Sequence, residues 1–361
     1  MPRMVAFGLT ISPSWDKGVN MEHRLLGRTG MQVSRFGLGT MVLGAWGNTD
    51  LAACTRIING ALDAGVNLVD TADVYGAGEN EEIVGRAIAG RRDDVVLCTK
   101  FHHPVGDHND PNRRGNSRRW IMRAIDDSLR RLGVDHVDLY QVHRPDPTVP
   151  IDETVDALTD LVRAGKIRAW GTSTFPAHQL VEAHWAADRR GLIGPHTEQS
   201  PYSILARGVE RDVLPTARRH GMGVLTWSPL AGGWLTGKYR RDGNAPADSR
   251  GKTQPDHFDG DNPAKFNAVE ALEAVAQQAG VSLTHLALAW AVEHPAVTAC
   301  LIGPRTEAQL ADLLEAASIR LDPSTLDAID AAVAPGRDLN PADAGWDPPG
   351  LSVSNRRRVP G

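Results

Sequence analysis

Asp70, Tyr75, Lys100 and His143 are the side chains of this 361-residue sequence whose types and spacing suggest shared proton chemistry. Asp70, Lys100 and His143 each close a short β-like run (VNLVD, VVLCTK and VDLYQVH), and Tyr75 follows five residues after Asp70. A phenol with an ordinary pKa of about 10 is a reluctant acid at neutral pH. A neighbouring ammonium stabilises the phenolate and is expected to lower that value, which would make Tyr75 a usable general acid. Asp70 would keep Lys100 charged, because an unpaired buried ammonium loses its proton. His143 would donate a hydrogen bond to a carbonyl oxygen and stabilise charge developing there. Such a set completes a reduction only with a hydride source. No residue supplies one, so a nicotinamide cofactor is implied. Taken alone, Asp70 and Lys100 read equally well as a structural ion pair; Tyr75 and His143 at matching strand ends tip the balance.

These four residues must be gathered by the elements that carry them. Eight β-like runs, beginning at Phe36, Val66, Val95, Val137, Ile167, Thr197, Gly223 and Thr298, alternate with amphipathic stretches. The runs are rich in β-branched and aliphatic residues and mostly continuous, as in parallel strands covered on both faces. In RWIMRAIDDSLRRL, Ile121, Ile125, Leu129 and Leu132 form one helical stripe. In ENEEIVGRAIAG, acidic residues fill the first turn and Ile83, Val84, Ala87 and Ile88 face inward. Strict alternation implies a parallel sheet, and eight units favour a single (β/α)8 TIM barrel over an open sheet. The strand ends form one ring: Asp70, Lys100, His143, Ser173, Gln199 and Ser228, with Tyr75 just beyond. Two long βα loops, 102–117 after the third strand and 229–264 after the seventh, emerge on that same face, where loops of such length are usually functional. Residues 1–20 are expected to form a disordered extension, 21–334 the barrel, and 335–361 an irregular tail that drapes over the mouth.

Bulk properties narrow the class. The formal net charge of −5 argues against a nucleic-acid or membrane-surface binder. Cys54, Cys98 and Cys300 are scattered, odd in number and form no CxxC, which fits a reducing, cytoplasmic setting. No run approaches the roughly 18 apolar residues of a membrane span, and Pro13, Trp15 and Asp16 break the N-terminal segment before it resembles a secretory signal. The expected partner is a small carbonyl compound; self-association leaves no readable signature.

The segments DTADVYGAGENEEIVGRAI from Asp70, Thr99-Lys100 and DLYQVH from Asp138 resemble the signatures of the aldo-keto reductase superfamily, in the branch with potassium-channel β subunits and many bacterial reductases. The resemblance runs from about Leu26 to Ala334. It implies the barrel, NADPH as hydride donor, an ordered mechanism, and the tetrad Asp70, Tyr75, Lys100, His143. Carried over by position, Ser173, Thr174 and Gln199 would hold the nicotinamide carboxamide, although Thr174 stands where the family usually has Asn. Trp227 would stack on the nicotinamide, and Ser228, Pro229, Leu230, Gly232 and Lys238 would wrap the pyrophosphate. Gly303, Arg305, Gln309 and Asp312 would meet the adenosine and its 2′-phosphate, with Leu313 where Asn is often found. Gly39 and Thr40, at the end of the first strand, complete the expected cofactor contacts. Trp46 is a candidate wall of the substrate pocket beside Tyr75 and His143, and reads equally well as ordinary packing.

Other motifs fall away. GGWLTGKY from Gly232 matches a phosphate-binding GxxxxGK pattern, but Tyr239 replaces the Ser or Thr that would hold magnesium. GTSTF from Gly171 lacks the last glycine of a nucleophile elbow, and no GxGxxG follows a strand. His102, His103, Asp107 and His108 invite a metal site. Adjacent histidines in an extended segment would point apart, however, and no helical ligand spacing is present, so no metal is expected. Two rivals stand beside a reductase: a cofactor-bound regulatory subunit with vestigial turnover, and a barrel hydrolase.

Overall fold

The computed structural model describes residues 21–106, 110–241, 243, 246–247, 249–253 and 259–356. The expectations placed on residues 1–20, on Asp107 and His108, and on the last five residues of the tail, 357–361, lie outside the described residues. A two-stranded antiparallel hairpin, β1 (His23–Leu25) and β2 (Gln32–Ser34), precedes the strands expected from the sequence. Eight parallel strands then close into a barrel: β3 (Phe36–Gly39), β4 (Leu68–Asp70), β5 (Val96–Phe101), β6 (Val137–Val142), β7 (Ile167–Ser173), β8 (Thr197–Pro201), β9 (Gly223–Trp227) and β10 (Ala299–Ile302). Pairing of β10 with both β3 and β9 closes the ring.

The chain between strands forms α1 (Leu51–Asp63), α2 (Glu79–Ile88), α3 (Arg118–Leu132), α4 (Ile151–Arg163), α5 (Ala177–Arg190) and α6 (Val213–Arg219). After β9 come a short α7 (Arg250–Thr253), α8 (Pro263–Gln278) and α9 (Leu283–Glu293). After β10 come α10 (Glu307–Glu315), α11 (Pro323–Ala332) and, in the tail, a single turn α12 (Val353–Arg356). Capping fixes the helix starts. Asp50 accepts from the amides of Ala52 and Ala53, and Ser282 from that of His285. On α3, Ile121, Ile125 and Leu132 are buried as the stripe predicts, with Trp120 and Ala124 beside them.

Two apolar layers hold the barrel. The larger lies between strands and helices. The smaller fills the interior with Leu68, Cys98, Leu139, Ala169, Leu225, Ala299 and Leu301. The hairpin plugs its N-terminal end: Leu26 and Val33 join that cluster, and Gly27, at φ +55°, lies so close to Gly223 that a Cβ would fall 2.3 Å from its nitrogen. With the bottom sealed, access is from the C-terminal rim, where barrel chemistry sits. Among the described residues the tail holds only short turns. Its turns at Pro341–Ala344 and Pro349–Leu351 bring Gly345 against Trp227 at the rim, and a Cβ there would stand 2.8 Å from the indole. The loop after β9 likewise holds a 3-10 turn (Ala231–Thr236) besides α7.

Candidate active site at the barrel mouth

Strand ends bring Asp70, Lys100 and His143 together as alternation predicts, and the 3-10 turn Tyr75–Gly78 sets Tyr75 over them. Lys100 is fully buried and Asp70 3% exposed. Lys100 Nζ donates to Asp70 Oδ1 at 2.6 Å, to the Thr71 carbonyl at 2.8 Å and to Tyr75 Oη at 3.5 Å. Burial works against the ammonium, but Asp70 and Tyr75 outweigh it, and its pKa is raised. The other Asp70 oxygen accepts from Gln199 Nε2 at 2.8 Å. Gln199, Asp70, Lys100 and Tyr75 therefore form one continuous chain of contacts.

Two charge states follow from this arrangement. Burial raises the Tyr75 phenol above its ordinary value, and the opposing Lys100 charge does not offset it. The expectation of a lowered phenol pKa is corrected here. Lys100 is nearer to Asp70 than to the phenol, and Asp70 itself disfavours a phenolate. His143, 7% exposed, has its pKa driven well down by burial and then by Lys100 and Arg144. At neutral pH its ring is uncharged, so it offers a hydrogen bond rather than a proton. Tyr75 is held in its protonated phenol form.

The rim around them is aromatic and basic. Tyr75 lies with its ring centroid 5.7 Å from Trp46 and 5.9 Å from His143. Trp46 is 48% exposed, which fits an open wall better than core packing. His103 packs 5.0 Å from His143 and 4.9 Å from His102. The two loop histidines thus touch instead of pointing apart, because His102 takes φ +149° and the segment is not extended. Sequence reasoning also missed Arg144, which donates to the His143 carbonyl at 2.6 Å and lies 5.9 Å from the Trp227 ring. Its position directly after a strand-end histidine was the available signal.

The residues expected around a cofactor lie on the far side of the rim. Ser173 Oγ donates to the Gln199 carbonyl at 2.9 Å, and both side chains are buried. Gln199 Nε2 is committed to Asp70, so its Oε1 is the atom left to accept from a ligand. Thr174 (φ +61°), Ser228 (φ +57°) and Ala231 (φ +48°) all adopt left-handed backbone, which is costly for a β-branched Thr and tolerated by Asn. Pro229 and Leu230 follow Ser228 into the turn with Gly232, and Lys238 Nζ stands 5.4 Å from the Tyr239 ring. Gly39 and Gly303 approach each other, with a Cβ on Gly303 falling 3.8 Å from the Gly39 carbonyl oxygen. Arg305 precedes α10, whose cap ties Thr306 Oγ1 to the Gln309 amide and Gln309 Oε1 to the Arg305 amide. Arg250, unforeseen from sequence, lays its side chain against Gly232 in the turn after β9, and burial, with the Arg305 charge a smaller influence, lowers its pKa.

Two of the expected contacts also have partners within the protein. Thr40 Oγ1 is fully buried, 2.9 Å from the Asp70 carbonyl and 2.6 Å from Asn80 Oδ1, so it braces the end of β4. The Asp312 carboxylate meets His285 Nε2 at 3.1 Å, between α10 and α9.

The closed eight-strand barrel carries a buried Asp70–Lys100 pair, the Tyr75 phenol and an uncharged imidazole at its mouth, an arrangement suited to an oxidoreductase. Residues 35–334 match the family model described as the aldo/keto reductase family, and the chain belongs to that family. The uncharacterized oxidoreductase YrpG of Bacillus subtilis is 42% identical over 315 residues, covering 85% of this chain and 94% of that one. A rice protein named as a probable voltage-gated potassium channel subunit beta is 38% identical over 324 residues, covering 87% and 97%. The aldo-keto reductase YhdN of B. subtilis is 38% identical over 301 residues, covering 82% and 88%. No helix among the described residues is long and apolar enough to cross a membrane.

Proposed function

We propose that the chain is an NADPH-dependent reductase of aldehydes or ketones, with Tyr75 as the proton donor. The observation that carries this is the chain Gln199–Asp70–Lys100–Tyr75 facing an uncharged His143. Tyr75 gives its proton to the carbonyl oxygen as that oxygen becomes an alkoxide. Lys100 then holds the phenolate, and Asp70 keeps Lys100 charged in a site that would otherwise discharge it. His143 donates a hydrogen bond to the same oxygen and fixes which face of the carbonyl is presented. Trp46 and His103 wall the substrate side.

The residues fit a dinucleotide. Ser173 and Gln199 offer buried polar atoms for a carboxamide, Trp227 a ring to stack on, the Ser228–Gly232 turn backbone amides, and Arg305 a cationic end at a helix start. When bound, the reduced nicotinamide supplies the hydride. The preference for NADPH over NADH rests on Arg305 at the helix start expected to meet the 2′-phosphate.

Consumption of NADPH with a panel of small aldehydes and ketones tests the proposal, and aldehyde-dependent turnover is the expected result. The relatives named as channel subunits favour a second reading, a cofactor-bound regulatory subunit. NADPH retained tightly with negligible turnover on any carbonyl would replace the first reading with it.

A further inference from the structure

Arg144 follows β6 at the barrel mouth, and its guanidinium stands among the groups gathered there. It lies 5.9 Å from the Trp227 ring, and its charge bears on Tyr75, His143 and His103. A guanidinium carries five N–H donors in a planar fork. Arg144 uses Nη1 on the His143 carbonyl at 2.6 Å, and among the described residues it forms no ion pair.

The carboxylates around the mouth have other partners. Asp70 holds Lys100 at 2.6 Å. Glu198 is the carboxylate whose charge reaches Arg144. Its oxygens accept from Thr172 Oγ1 at 2.5 Å, Ser200 Oγ at 2.9 Å and the Phe175 amide at 3.2 Å. Asp146 accepts from the amides of Asn116 and Thr148, both at 3.0 Å, and Glu79 from that of Ala45 at 2.9 Å. The imidazoles add no charge at neutral pH, since burial lowers the pKa of His102, His103 and His143. One half-buried cation is left at the mouth without a contacting anion, a costly arrangement unless a ligand completes it.

The cofactor is a poor source of that anion. Its phosphates are expected at the turn from Ser228 and at the start of α10, whereas Arg144 stands beside Trp227, the ring expected against the nicotinamide. The anion therefore comes with the substrate. A carboxylate matches the guanidinium fork in plane and in charge, while a phosphate dianion would leave one charge unmatched. Trp46, Tyr75 and His103 supply ring faces for the carbon segment between the two ends of such a molecule. We propose that Arg144 sets substrate specificity by binding the carboxylate of an oxo acid whose aldehyde or ketone carbonyl reaches Tyr75 and His143. The inference rests on the reductase reading and names its substrate class.

The test is calorimetric titration of the NADP⁺-bound protein with 4-formylbenzoate and with its methyl ester, which share ring and aldehyde and differ in charge. Wild type is compared with Arg144→Met, which keeps the length and removes the charge, and with Arg144→Lys, which keeps the charge. The acid is expected to bind at least about tenfold more tightly than the ester in wild type, the range of a charge-assisted contact. That advantage should shrink to within about twofold in Arg144→Met and survive in part in Arg144→Lys. In NADPH consumption the same preference should appear in KM more than in kcat. Equal affinity for acid and ester in wild type, or an acid advantage that survives in Arg144→Met, would overturn the proposal. Parallel weakening of both ligands in Arg144→Met would overturn it too, leaving Arg144 as a brace for the His143 carbonyl. The titrations need no turnover, so a protein that consumes no NADPH would lose the reductase reading while its acid preference is still decided by binding.

Discussion

Replacing Asp70 by Asn keeps the shape of the Lys100 site and removes its charge, which isolates what the carboxylate does. In the native protein Lys100 is fully buried and meets Asp70 at 2.6 Å, with the Thr71 carbonyl as second acceptor. Breaking one side of a buried pair costs about 3–5 kcal/mol. Asn retains one oxygen for Lys100, so a loss near the lower figure is expected at neutral pH. The pH dependence changes sign. Native Lys100 has a folded pKa raised above its unfolded value, so its contribution is complete below the unfolded value and is lost as pH rises through the folded one. In Asp70→Asn the desolvation of Lys100 is no longer opposed by a counter-charge, and its folded pKa drops below the unfolded value of about 10.4. The variant therefore gains stability relative to wild type as pH climbs from about 7 toward 10. Urea denaturation across that range measures the difference. Turnover should fall by at least about a hundredfold, because a discharged lysine cannot hold the phenolate. A variant as stable as wild type, with a constant difference across the range, would refute the reasoning.

Two further substitutions probe the cofactor side. Thr174→Asn relieves a β-branched residue at φ +61° and is expected to raise stability by about 1 kcal/mol, read as a higher urea midpoint. An unchanged or lower midpoint would show that the left-handed backbone there is not strained. Arg305→Ala removes a charge-assisted contact worth about 1.5–3 kcal/mol. The NADPH Kd should therefore rise roughly 10- to 100-fold while the NADH Kd stays within about twofold, measured by fluorescence titration. Equal weakening of both cofactors would remove Arg305 from the 2′-phosphate.

The barrel was legible because strands buried on both faces leave continuous aliphatic runs, and each observed barrel strand overlaps one of them. The tetrad was legible because three of its members end such runs. The β1–β2 plug escaped, since three-residue strands carry too few positions for any periodicity to show. Charge states escaped for a different reason. Whether Lys100 or burial governs the Tyr75 phenol depends on a distance of 3.5 Å and on the competing Asp70 carboxylate, neither of which a sequence encodes. Arg144 and Arg250 are ordinary arginines in sequence until the fold sets one beside Trp227 and the other against Gly232. Thr40 was read from its place at a strand end, but its hydroxyl faces Asn80 on α2, a partner set by packing of the helix against the rim.

The role of Tyr75 is tested most directly by comparing wild type with Tyr75→Phe in aldehyde-dependent NADPH oxidation, with NADPH affinity measured on the same preparations. The account predicts that turnover falls by about 10²- to 10⁴-fold, the range for a lost general acid, while NADPH affinity stays close to wild type. Wild-type turnover in the variant would contradict it and move the proton to another group.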